Sequence, residues 1–132
     1  MKYVKKMKLN ASEVAQIRRE LGEYIWVAVD IDRNAIAAGD EYLADLRESL
    51  IYKFHCRAKN IFGIGVDLRT GEIYYAPVIN RRNKIFREHK CIPKSVRRRI
   101  ETMIGYFFED FAPFRPTPRR KNRPRDLPAS SC

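Results

Sequence analysis

No run of this chain is apolar for long. Nothing in its 132 residues approaches the roughly 20 consecutive apolar positions of a membrane-spanning helix, so no integral membrane segment is expected. The charged opening MKYVKKMKLN is followed by no apolar segment of the kind a secretory signal needs. Cysteine is scarce: Cys56, Cys91 and Cys132 are odd in number and scattered. That pattern argues against a disulfide-stapled secreted scaffold and leads us to expect reduced thiols in a soluble, cytoplasmic protein. The two histidines each stand near a cysteine, as His55-Cys56 and His89-x-Cys91. Neighbouring residues seldom converge on one ion, and the usual knuckle spacing is missing. A zinc site from His55, Cys56, His89 and Cys91 is therefore a subsidiary alternative, and no metal or other cofactor is expected. Also missing are a Ser-His-Asp pattern, a nucleophile elbow and a glycine-rich phosphate loop.

Acid is what one stretch lacks most. Residues 79–99, INRRNKIFREHKCIPKSVRRR, set Arg81, Arg82, Lys84, Arg87, Lys90, Lys94, Arg97, Arg98 and Arg99 against Glu88 alone. The net charge of +11 is segregated along the chain. Lys2, Lys5, Lys6 and Lys8 precede any acid, whereas residues 9–78 hold eight Lys or Arg against eleven Asp or Glu. A closing tail carries Arg119, Arg120, Lys121, Arg123 and Arg125 among prolines. Charge that serves only solubility has no need of such segregation; a directed electrostatic partner does.

Patterning supplies the elements. KYVKKM (2–7) predicts a short first strand. Asn10 and Glu13 have capping-box spacing before a helix from Ala11 to Leu21, which buries Val14, Ile17 and Leu21 and stops at Gly22. YIWVAVDI (24–31) alternates as a strand, a turn near Asp32–Asn34 leads to a second strand AIAA, and Leu43, Leu46, Leu50 and Phe54 form a helical stripe. Residues 61–80 predict a hairpin around Thr70-Gly71, with Pro77 placing its second strand at an edge. A last helix from Pro93 to Phe111 lines up Val96, Ile100, Met103, Ile104, Phe107 and Phe111. The order β-α-β-β-α-β-β-α describes an α+β domain over 1–112, with a mainly antiparallel sheet of about five strands and three helices. The tail 113–132 has little to pack and is expected to be disordered when free.

The segments VAVDIDRNAIAAGDEYLADLRESL, NIFGIGVD and VIN, within residues 24–82, resemble a family of small bacterial domains of unknown function. That family's strand ends in Val-Asp-Ile-acid and leads through an alanine-glycine turn into an Ala-Asp-containing helix. The chain departs from it with Phe62-Gly63 for Trp-Gly, HCRAKN for a Gly-Ser-Gln stretch, and NRR for Asn-Ile-Arg. The resemblance implies a fold and carries no activity.

Chemistry must therefore come from the residues. The last helix runs against its dipole: Lys94, Arg97, Arg98 and Arg99 crowd its start while Glu109 and Asp110 close it. A helix start already favours anions, and Phe86 offers a ring for a base. The tail has the form of an extended cationic arm. The expected function is nucleic-acid binding, RNA rather than DNA, in a ribosomal or other ribonucleoprotein setting and without catalysis. The alternatives are a metal-dependent nuclease using Asp30 and Asp32, which alternation would place on one strand face, and a protein–protein module, antitoxin-like or an assembly subunit, using the Pro77 edge. Peripheral membrane binding through the basic ends is a weaker one.

Overall fold

The computed structural model describes residues 2–75, 80, 83–89 and 91–109. Pro77, Arg81, Arg82, Lys90, Phe111 and the whole tail from 113, with Arg119, Arg120, Lys121, Arg123 and Arg125, lie outside the described residues, as do the side chains of Phe86 and His89.

Five strands form one antiparallel sheet: β1 (Tyr3–Lys5), β2 (Tyr24–Asp30), β3 (Ala35–Ala38), β4 (Ile61–Asp67) and β5 (Ile73–Tyr75), in the order β1-β3-β2-β4-β5. The helices are α1 (Ala11–Leu21), α2 (Leu43–Phe54), α3 (Lys84–His89) and α4 (Lys94–Phe107), and a single 3-10 turn, Ala58–Asn60, precedes β4. This is the expected α+β class. Its three long helices stand where the apolar stripes predict them, except that the last ends at Phe107 rather than near Phe111, and α3 is an addition, too short to announce itself by periodicity.

Period-two alternation along β2 divides the core between the two sheet faces. Ile25, Val27, Val29 and Ile31 join Val14 and Ile17 of α1 and Ile100, Met103, Ile104 and Phe107 of α4. On the other face Ala28, Ala35, Ala37 and Ile61 meet Leu46 and Leu50 of α2. The expected capping box of α1 is present, with the Asn10 side chain accepting from the Glu13 amide at 2.8 Å and Glu13 Oε1 accepting from the Asn10 amide at 3.0 Å. Helix α4 crosses the sheet: the Tyr75 hydroxyl on β5 donates to the Arg97 carbonyl, and the Leu9 amide beyond β1 donates to the Phe107 carbonyl at 2.7 Å.

The β4–β5 turn closes on Asp67, whose carbonyl accepts from Gly71 at 2.7 Å, with Gly71 at φ 80. β5 is indeed an edge strand. However, the second strand predicted to reach residue 80 does not: Asn80 is not part of the ladder. Its side chain pairs with β4 instead, Oδ1 accepting from the Gly63 amide at 2.8 Å and Nδ2 donating to the Gly63 carbonyl at 3.0 Å. Asn83 continues this substitute pairing. Its Nδ2 donates to the Ile61 carbonyl while its Oδ1 accepts from the Ile85 amide, which caps α3 and pins it at the start of β4.

Candidate nucleic-acid interface

The site is built at the end of the sheet where β2 stops. Asp30 is its last residue, flanked by Ala35 of β3 and Ile61 of β4. Its Oδ1 accepts from the Asp32 amide at 2.9 Å and the Arg33 amide at 3.2 Å, a local turn of the kind aspartate favours. Asn34, at φ 52, completes the reversal. The turn leaves Asp32 and Arg33 exposed while Asp30 is fully buried. The expected pairing of Asp30 and Asp32 on one face therefore fails, because the strand ends between them and the first carboxylate is used in the turn. Asp40 lies beyond the far end of β3 and accepts from the Tyr42 amide. Among the described residues no group of three or more His, Cys, Asp or Glu could hold a metal ion.

Of the zinc candidates, the side chains of His55, Cys56 and Cys91 are among the described residues. His55 is exposed at φ 57, where it ends α2, whereas the adjacent Cys56 is buried among Ala28, Ala35 and Ile61. Burial first, and then the nearby Asp30 carboxylate, push the Cys56 thiol up to about 12, so it is held as the neutral thiol. The other oxygen of Asp30, Oδ2, is buried and accepts no hydrogen bond from the described residues. Cys91 is half-buried, just before α4.

Around this turn the fold gathers cations from six segments. Lys6, after β1, and Lys53, at the end of α2, both stand over the Phe54 ring, with Nζ 5.0 and 5.5 Å from its centroid. Lys53 also donates to the Val4 carbonyl at 2.8 Å. Arg33 is exposed in the β2–β3 turn, and Arg57 and Lys59 are exposed between α2 and β4. Helix α3 packs against the 3-10 turn and presents Lys84 and Arg87 to solvent. Arg99 of α4 reaches across to donate from Nη2 to the Ile31 carbonyl at 2.9 Å. Among the described residues none of these makes a salt bridge.

At the opposite end of the sheet, cations and acids neutralise one another. Arg18 bonds Glu23, and Arg69 lies between Glu23 at 3.3 Å and Asp67 at 3.2 Å. Burial pushes the Asp67 carboxyl up, but the Arg69 guanidinium and the turn amides outweigh it and hold it below its ordinary range. Three of the four N-terminal lysines are likewise directed at acids: Lys2 at Asp40, Lys5 at Glu13, Lys8 at Glu109.

The basic block is thus divided by the fold. Lys84, Arg87, Lys94 and Arg98 are exposed. Arg97 is half-buried, with Nε donating to the Ile92 carbonyl at 3.3 Å, and Arg99 is occupied at Ile31. The reversed charge of α4 is eased at its far end, where Lys8 meets Glu109 at 3.4 Å. Arg33, Lys53, Arg57 and Lys59 are cations that charge averaging concealed, because they belong to a segment with more acids than bases. Their one signal was position: Lys53, Arg57 and Lys59 crowd a single element boundary. Among the described residues no helix is long and apolar enough to cross a membrane.

The chain belongs to the family described as protein of unknown function DUF5674, which matches residues 3–107. The resemblance to a family of unknown function over 24–82 therefore holds and extends to α1 and α4. Comparison with curated proteins and with solved structures found no match.

Proposed function

We propose that this DUF5674 chain is an RNA-binding protein without chemistry of its own, and that its binding surface is the basic end of the sheet. The observation that supports the reading most is the convergence of Lys6, Arg33, Lys53, Arg57, Lys59, Lys84 and Arg87 from separate segments, outside any ion pair among the described residues. Like charges brought together by folding repel, so the arrangement lowers stability unless a polyanion neutralises it. Phosphates do so while releasing condensed counterions. RNA is preferred to DNA because the proline-spaced cationic tail suits an irregular strand better than a regular groove. A ribosomal or other ribonucleoprotein setting, in the cytoplasm, follows from that partner.

The test is fluorescence anisotropy of the full chain with a labelled 12-nucleotide RNA. If about six phosphates are neutralised on a single strand, log K falls against log salt with a slope near −4. Changing Arg57, Lys59, Lys84 and Arg87 together to Glu removes up to four of those contacts, so the slope falls to about −1.4 and affinity collapses, with circular dichroism unchanged. Wild-type affinity in that variant refutes the assignment.

A further inference from the structure

We infer that this surface takes unpaired rather than duplex RNA, with Tyr52 as a platform on which a base stacks; the inference rests on the RNA reading above. The observation is where the fold leaves apolar surface uncovered. Helix α2 turns Leu46 and Leu50 to the sheet, which points Tyr52, about 200° further round from Leu50, away from it. The outer face of a surface helix is ordinarily polar. Here Tyr52 is 88% exposed and Ile51 beside it 38% exposed. Met7, which follows Lys6 of the ammonium pair on Phe54 in sequence, is 69% exposed. Two of the six large hydrophobics exposed among the described residues, Met7 and Tyr52, therefore adjoin Lys6 or Lys53 in sequence.

Rings and thioethers set among cations match the chemistry of an unpaired strand. Its phosphates need the ammonium and guanidinium groups, and its bases present free faces that stack on any exposed ring, whatever their sequence. In a duplex those faces are already stacked on one another, and A-form RNA offers a protein phosphates, hydroxyls and shape. A surface for duplex alone has no use for Tyr52. Phe86, the ring that the basic block suggests for this role, has its side chain outside the described residues, whereas Tyr52 is open to solvent.

The experiment titrates the full chain, as wild type, Tyr52→Ala and Tyr52→Phe, against a labelled unstructured 12-nucleotide RNA and a blunt 12-base-pair RNA duplex at one salt concentration. Wild type is expected to prefer the single strand. Tyr52→Ala should weaken single-strand binding by at least about fivefold and leave duplex binding unchanged, while Tyr52→Phe keeps the ring and the affinity. Equal losses on both RNAs, or no loss on the single strand, overturn the inference and leave the RNA reading standing. Wild type that binds neither RNA overturns both.

Discussion

Asn80 offers the sharpest test of how the basic end is held in place. It is 1% exposed, and it pairs with the β4 edge, meeting the Gly63 amide at 2.8 Å and the Gly63 carbonyl at 3.0 Å. Replacing Asn80 by Ala leaves two buried main-chain groups without their partner. Each such group costs about 1–3 kcal/mol, so Asn80→Ala should lose about 2–6 kcal/mol. The assay is urea unfolding with the m-value compared between the proteins, since only an unchanged slope lets the midpoint be read as stability. Hydrogen exchange at the Gly63 amide should lose its protection in parallel. Asn80→Asp separates pairing from volume. It keeps the acceptor for the amide but sets an oxygen against the Gly63 carbonyl, so its deficit should be similar at pH 7. The deficit should narrow as the pH falls toward about 4, where a protonated carboxyl can donate. An alanine variant within about 0.5 kcal/mol of wild type would refute the account, because it would show that water or another group replaces the amide at no loss.

Two further expectations follow from the same structure. Burial, then the Asp30 carboxylate, raise the Cys56 thiol from 9.0 to about 12. The folded value lies above the unfolded one, so this stabilisation is whole below pH 9 and is lost as the pH rises from 9 toward about 12. Tyr74 is also raised to about 12, by burial first and then by Glu72, so the comparison of wild type with Cys56→Ala isolates the thiol. The variant's alkaline fall in stability should be shallower, and native Cys56, followed by peptide mapping, should resist alkylation at pH 8; labelling at the unfolded rate refutes this. Arg98 is exposed four residues after Lys94 at the uncapped start of α4, so Arg98→Glu relieves both a like-charge pair and a dipole conflict. It should gain about 0.3–1 kcal/mol in a denaturant melt while weakening RNA binding, and a clear loss of stability would show Arg98 to be a structural residue.

Local chemistry alone settled much of the fold. Asn10 and Glu13 announced the start of α1, the alternation from Ile25 to Ile31 announced β2, and the Leu46–Leu50 spacing announced α2, because each of these signals acts within a few residues. The excess of cations between 79 and 99 was equally plain. Only the tertiary structure decided what those groups do. Whether Asp30 and Asp32 share a face depends on where β2 stops, and the turn amides stop it at Asp30. Whether Asn80 extends a strand or replaces one depends on the edge that β4 leaves open. Which cations share a surface depends on strand order: Lys6, Arg33 and Lys59 are far apart along the chain and meet because β1, β3, β2 and β4 align their ends. Charge acts through space, so a segment that sums to acid in sequence contributes four of the bases at this end of the sheet.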